Sequence, residues 1–190
     1  MAPVAEQSMN TTSAFGEIVA LHQRSVYRYL IRCTGNSDDA QELFQETFLR
    51  AYRAYGDLPT EANHRAWLFR IATNLVKNYI RGRQRYRKVF VADGSIPSSK
   101  VHPTTPEQTF HSQETAQLLL NAIGALPFRQ RTALIQRQLE GLAYREIAEN
   151  LNCSEDSARA HVYQALKKLR TCWQQTVTGE ERRCHANQKA

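Results

Sequence analysis

Residues Trp67 to Lys88, WLFRIATNLVKNYIRGRQRYRK, hold seven Lys or Arg and no Asp or Glu. Leu68, Ile71, Ala72, Leu75, Val76 and Tyr79 recur at helical spacing, so the segment is expected to be a helix with one packed face. Arg70, Lys77, Arg81, Arg83 and Arg85 must then look outward, interleaved with the aromatics Trp67, Phe69, Tyr79 and Tyr86. A helix with an apolar back and a cationic front suits a phosphate backbone with exposed bases beside it. The competing reading is a solvated basic face, although solvated faces normally mix both signs of charge.

Charge elsewhere is distributed to the same effect. Residues 1–64 carry five basic and eight acidic side chains, whereas residues 65–88 carry eight basic and none acidic. The net charge of +7 and the pI near 9.4 favour an acidic partner without naming it. No apolar run approaches the roughly 18 residues that a membrane span needs, and the first residues, MAPVAEQSMNTTSAFG, do not read as a secretory signal. Cys33, Cys153, Cys172 and Cys184 are scattered and read as reduced thiols, so a cytoplasmic location is expected.

Periodicity predicts an all-α protein of two small helical domains joined by a flexible linker. Phe15, Ile18, Val19, Val26, Tyr29 and Leu30 mark a first helix, which Gly35-Asn36-Ser37 breaks. Asn36 or Ser37 can cap the second helix, with Asp38 and Asp39 favourable in its first turn. That helix is expected to pack through Leu43, Phe44, Phe48, Leu49 and Tyr52 and to stop at Gly56-Asp57-Leu58-Pro59. The basic helix follows to about Arg83. Residues 1–12 are expected to be disordered, 13–88 to form the first domain and 89–112, with three prolines and little to bury, the linker. The second domain, 113–171, divides into helices at about 113–125, 128–139, 144–151 and 155–171, and the tail 172–190 reads as frayed or weakly helical.

Within the second domain, Tyr144–Arg170 reads YREIAENL-NCS-EDSARAHVYQALKKLR. Ile147, Ala148 and Leu151 make one apolar face. Asn152-Cys153-Ser154 makes a three-residue break with Ser154 as N-cap, and Ala158, Val162, Leu166 and Leu169 are expected to be the buried side of the next helix. Two helices joined this tightly match a DNA-binding helix-turn-helix, whose second helix enters the major groove; the competing reading is an ordinary helical hairpin. In the groove geometry Asp156, Arg159, Ala160, Tyr163 and Gln164 lie near base edges and Lys167, Lys168 and Arg170 near phosphates.

Together the two halves resemble bacterial RNA polymerase sigma factors of the short extracytoplasmic-function group. Three stretches carry the resemblance: DDAQELFQETFLRAYR (Asp38–Arg53), WLFRIATNLVKNYIRGR (Trp67–Arg83) and LPFRQRTALIQRQLEGLAYREIAENLNCSEDSARAHVYQALKKLR (Leu126–Arg170). The 27 residues from Tyr86 to Ser112 leave no room for the middle domain of housekeeping sigma factors. The resemblance implies core-polymerase contacts at Asp38, Asp39, Glu42, Leu43, Gln45, Glu46 and Phe48, on the clamp coiled coil. It implies −10 DNA contacts at Arg70, Asn74, Lys77, Asn78, Arg81, Arg83 and Arg85. For the −35 duplex it implies Ser157, Arg159, Ala160, His161, Tyr163, Gln164, Lys167 and Lys168. It makes the loop Gly56–His64 the place where a flipped base would be captured, Trp67 a structural aromatic, and an anti-sigma factor an expected partner. It implies neither cofactor nor catalysis.

Departures from the family pattern are local. Ala143 stands where many members have a capping Ser or Thr, His161 and Gln164 where basic residues are frequent, and Asn78 where many have Asp. Cys172, Cys184 and His185, with Cys153, could be imagined as a metal or redox site. Eleven residues separate the first two and no CxxC is present, so no metal is expected. No nucleophile–base arrangement is recognisable, which argues against an enzyme. The alternative from another class is a free-standing helix-turn-helix regulator that binds duplex DNA without polymerase.

Overall fold

The structure, a computed structural model, describes residues 4–59, 61–90 and 110–187, with side chains over 13–59, 61–86 and 118–174. Among the described residues there are seven α-helices, one 3-10 turn and no strand. The elements run α1 (Val4–Thr34), α2 (Ser37–Ala54), a 3-10 turn (Tyr55–Asp57), α3 (His64–Phe90), α4 (Phe110–Ala125), α5 (Phe128–Gln138), α6 (Tyr144–Leu151) and α7 (Glu155–Asn187). Contacts divide the chain into two compact units, Met1–His102 with Glu149–Asn152, and Pro103–Ala148 with Cys153–Ala190. Most of the expected linker, residues 91–109, lies outside the described residues.

The first unit is a three-helix bundle. Gly35, at φ 70°, takes the left-handed turn that ends α1, its N–H donating to the Ile31 carbonyl at 2.9 Å. Asn36 then caps α2: its Oδ1 accepts from the Asp38 and Asp39 N–H groups at 2.7 and 3.1 Å. Asn63 opens α3 in the same way, accepting from the Ala66 N–H at 3.1 Å. The core is built from Val26, Tyr29, Leu30 and Cys33 of α1 with Leu68, Phe69, Ala72 and Val76 of α3, all fully or almost fully buried. Tyr29 packs edge-on to Phe69 with centroids 5.2 Å apart, and its hydroxyl lies 3.0 Å from Thr73 Oγ1.

On helix α2 the expected packing residues divide: Phe44 and Tyr52 pack on Tyr27 and Phe15 of α1, but none of the five is fully buried. The buried residues of α2 are Ala40, Thr47 and Ala51, not the larger Leu43, Phe44, Phe48, Leu49 and Tyr52. Leu43, Phe44 and Phe48 are half-buried, while Leu49 and Tyr52 are about as exposed as not, at 51% and 50%. Small side chains let α2 lie close to its neighbours and push the bulky ones to its flanks. Two helix ends also differ. α1 starts at Val4, inside the segment expected to be disordered, because nothing between Pro3 and Gly16 breaks a helix. α7 continues past 171 to Asn187 through the tail read as frayed or weakly helical, which contains one glycine and no proline.

In the second unit, α5 and α7 pack through Ala133, Ile135, Ala158, Val162 and Ala165, with Ile147 and Ala148 of α6 also buried. Leu166, expected inside, is 41% exposed, since Ala165 occupies the inward position next to it. After α5, Gly141 at φ 65° reverses the chain and the Leu142 N–H returns to the Gln136 carbonyl at 2.9 Å. Between α6 and α7, Asn152 adopts φ 50° and the Cys153 N–H reaches the Ala148 carbonyl at 3.0 Å. Asn is among the few residues other than Gly that tolerate that conformation.

Thr73 also donates back to the Phe69 carbonyl at 2.6 Å, so it joins helix and core. Thr73→Val keeps the shape and removes the hydroxyl facing Tyr29. The expected cost is about 1–2 kcal/mol of stability in chemical denaturation; an unchanged midpoint would mean that the Tyr29–Thr73 contact contributes nothing net.

Candidate functional site

Three surfaces gather the functional candidates. On α3, Arg70, Asn74, Lys77, Asn78, Arg81 and Arg85 recur at three- and four-residue spacing and therefore share one face. All are exposed except Lys77, which is half-buried. No acidic residue interrupts the helix. Arg83 does not join them. It stands four residues after Tyr79 on the side that turns toward α2, where its Nη1 donates to the Tyr79 hydroxyl at 2.8 Å and lies 3.9 Å from Asp39 Oδ2. The Tyr79 hydroxyl in turn donates to Asp39 Oδ2 at 2.6 Å. Burial and the neighbouring Asp39 carboxylate raise the Tyr79 pKa, with Arg83 opposing them.

The acidic candidates on α2 likewise divide by face. Asp38, Glu42 and Gln45 are exposed on the outer side, and Leu49 lies among them although it had been assigned to packing. Asp39, Leu43 and Glu46 form a half-buried flank; Asp39 is held by Tyr79, and Glu46 accepts from Arg50 Nε at 2.6 Å. Phe48 sits on the opposite flank against Phe44, which packs edge-on to Tyr27 of α1. Leu49 was legible only as one more apolar residue in the stripe. Its four-residue spacing from Gln45 is the signal that places it outside.

Of the loop Gly56–His64, all but Thr60 is described, and Tyr55 lies near the His64 ring with centroids 6.1 Å apart. The neighbouring His22 has its pKa lowered by burial and by the positive Arg65 and His64. Trp67, expected to be structural, is half-buried.

The third surface belongs to α7. Ser154 caps the helix, accepting from the Ser157 N–H at 3.2 Å. Ala143, which has no capping side chain, is served from the other direction: its N–H donates to Glu146 Oε2 at 2.7 Å. Ala160, Tyr163, Gln164, Lys167 and Lys168 are exposed on one face, with Tyr163 at 69%. Gln164 Oε1 accepts from Gln130 Nε2 of α5 at 2.8 Å. Arg159 flanks this face, paired with Glu155 and lying 4.9 Å from the centroid of the Tyr144 ring. Ser157 is half-buried beside the cap. His161 stands apart on the other flank, half-buried beside Arg129, and its Nδ1 has no hydrogen-bond partner. Away from this face, an apolar cleft of about 340 Å³ opens between α4 and α7, lined by Leu118, Leu119, Leu166, Leu169 and Trp173.

No group of His, Cys, Asp or Glu that could hold a metal occurs among the described residues. Cys33 is buried, Cys153 half-buried and Cys172 exposed, while the side chains of Cys184 and His185 lie outside the described ones. No helix among the described residues is long and apolar enough to cross a membrane.

Comparison with known proteins matches the chain to the Sigma-70 region 2 model over residues 18–86 and to the Sigma-70, region 4 model over residues 116–169. The ECF RNA polymerase sigma factor SigE of Mycolicibacterium smegmatis is 31% identical, over 83% of this chain and 60% of that protein. The ECF RNA polymerase sigma-E factor of Haemophilus influenzae is also 31% identical, over 82% of this chain and 85% of its own length. Among solved structures, the sigma factor RpoE of Bartonella quintana, in complex with the anti-sigma factor NepR, aligns with a TM-score of 0.70 at 25% identity. That alignment covers 85% of this chain and 97% of RpoE. CnrH, in complex with the cytosolic domain of CnrY, shares the fold with a TM-score of 0.65 at 21% identity, over 90% and 94%.

His161 yields a pH signature. Burial and Arg129 lower its pKa below the ordinary 6.5, so the folded protein favours the neutral ring and the unfolded chain takes up the proton first. The stability associated with this ring is present above pH 6.5 and is lost as pH falls through the folded value. Thermal denaturation between about pH 7.5 and about pH 5 should therefore show a smaller loss for His161→Phe than for the native protein. His22 contributes equally to both and cancels.

Proposed function

The chain belongs to the extracytoplasmic-function sigma factors, and from that premise we propose how its surfaces divide the work of initiation. Sigma factors of this family direct RNA polymerase to specific promoters, and the family is not a class of catalytic enzymes. Chemistry belongs to the polymerase; this chain supplies position and binding energy, acting in the cytoplasm without cofactor or catalytic residue of its own.

Residues 13–88 are assigned to core binding and the −10 element, 113–171 to the −35 element, and 89–112 to the linker between them. The outer face of α2, with Asp38, Glu42 and Gln45 and with Leu49 added, docks on the basic clamp coiled coil; Asp39, Glu46, Leu43 and Phe48 support it from the flanks. Acidic groups around an exposed Leu suit such a surface, because charge guides encounter and the apolar centre gains from burial. Arg70, Asn74, Lys77, Asn78, Arg81 and Arg85 follow the opened −10 strand, and the loop Gly56–His64 receives a flipped base. Arg83 serves mainly to tie α3 to α2. In the second unit Arg159, Ala160, Tyr163 and Gln164 face −35 base edges, and Lys167 and Lys168 the phosphates. Ser157 acts through the cap of α7, and His161 acts in packing. The apolar cleft between α4 and α7 is the surface offered to the polymerase flap. An anti-sigma factor is a further partner, by analogy with the NepR complex of RpoE.

The observation that carries this reading is the acid-free cationic face of α3 in the same unit as an outward acidic face on α2. A regulator acting alone on duplex DNA has use for the cationic face but not for the acidic one. Run-off transcription with bacterial core polymerase on a pooled promoter library tests it. Defined start sites that depend on the protein are expected. No transcripts combined with tight binding of the protein alone to duplex DNA would instead establish a free-standing regulator.

Two substitutions test the assignments of surface. Asp38→Lys with Glu42→Lys should weaken core binding at least tenfold, about 1.4 kcal/mol, with the helical circular-dichroism spectrum intact; unchanged binding removes α2 from the interface. Arg159→Ala should cost about 1–3 kcal/mol of discrimination at one −35 base pair. An equal loss on every sequence would make Arg159 a phosphate contact.

A further inference from the structure

We propose that Tyr144 is a positioning residue for −35 recognition: its ring holds the Arg159 guanidinium in the orientation that reads a base. The inference rests on the reading of Arg159 as a base contact and adds the residue that aims it.

Arg159 is a long, half-exposed side chain on the flank of the recognition face. Left to itself, such a side chain samples many rotamers, and selecting one of them on DNA lowers affinity for the right base. Two neighbours restrain it here. Glu155, one turn earlier on α7, pairs with Nη2, and the Tyr144 centroid lies 4.9 Å from Cζ. The two restraints differ at the moment of binding. An exposed ion pair on one helix is weak, and the Glu155 carboxylate is repelled by the phosphates that approach with the groove. A tyrosine ring carries no net charge, so its attraction for the cation persists beside DNA. A guanidinium that lies flat on such a ring keeps its in-plane N–H donors for the paired acceptors of guanine.

The ring is itself held. Arg137 of α5 places its Cζ 4.6 Å from the same centroid and anchors its Nη1 on the Leu142 carbonyl at 3.0 Å. Tyr144 is the first residue of α6. One half-buried ring thus meets cations from α5 and α7 and fixes the start of α6 relative to both.

The test uses holoenzyme reconstituted with core polymerase on promoters that differ at single −35 base pairs. Arg159→Ala first identifies the position whose discrimination it removes; a uniform loss would defeat the base-contact reading itself, and this proposal with it. At the identified position Tyr144→Leu should reduce the preference for the best over the worst base by about two- to fivefold. Preferences elsewhere in the −35 element should stay as they are. Tyr144→Phe, which keeps the ring and loses only the hydroxyl, should retain the native preference. Each preference is a ratio taken on one preparation, so a smaller folded fraction cancels. An unchanged ratio in Tyr144→Leu, an equal change at every position, or a loss in Tyr144→Phe as large as in Tyr144→Leu would each overturn the proposal.

Discussion

The first unit depends on the rotational setting of α3, and Phe69 with Thr73 against Tyr29 fixes it. Successive residues of a helix are turned by roughly 100°, so rotating α3 by one position would carry part of the Arg70–Arg85 face toward the core. Burying a cation without a partner costs far more than any single packing contact yields. The fully buried ring of Tyr29, the edge-on Phe69 and the hydroxyl contact with Thr73 select one rotation and leave the rest of the helix no choice. Charge segregation then follows. α2 and α3 are tied together through Asp39, Tyr79 and Arg83, which lie off the two exposed faces, and the exposed candidates of each helix look outward.

Much of this was legible in the sequence, for identifiable reasons. Gly35-Asn36, Asn152-Cys153-Ser154 and the apolar spacing of Trp67–Lys88 are strong local signals, and the caps and turns fell where those residues stand. On α2, Phe44, Phe48 and Tyr52 pack as rings against neighbours, but the depth of burial was misjudged because the same apolar spacing serves both buried and exposed positions. Leu49 and Tyr52 follow the helical period as well as any core residue does, whereas Ala40, Thr47 and Ala51, which are buried, carry little hydrophobic signal. Leu166 was misplaced next to Ala165 for the same reason. Arg83 was grouped with the other cations by charge alone, although its four-residue spacing from Tyr79 already set it on another face.

Helix α7 shows a related feature: some of its exposed side chains are restrained by neighbours that no motif enumerates. Arg159 is held by Tyr144 and Glu155, and Gln164 by Gln130. Those partners come from α5, from the start of α6 and from the first turn of α7, so the surface proposed for the −35 element is shaped in part by residues outside its exposed face. Sequence patterns describe one helix at a time and cannot show such support across helices. Ala143 makes the same point in miniature: Glu146 secures the start of α6 by accepting from the Ala143 backbone, without a capping hydroxyl at that position.

The cationic face of α3 is also a ruler. From Arg70 to Arg85 it spans fifteen residue steps, roughly 22 Å at the rise of an α-helix. Neighbouring phosphates along one strand of B-form DNA advance by about 3.4 Å, so the face can accompany only about half a dozen nucleotides before it runs out. Its four cations, Arg70, Lys77, Arg81 and Arg85, would displace about three counterions from a single strand. In the −10 role proposed above, a footprint so short and a charge so modest would hold a melted segment only when other contacts keep the strand in place.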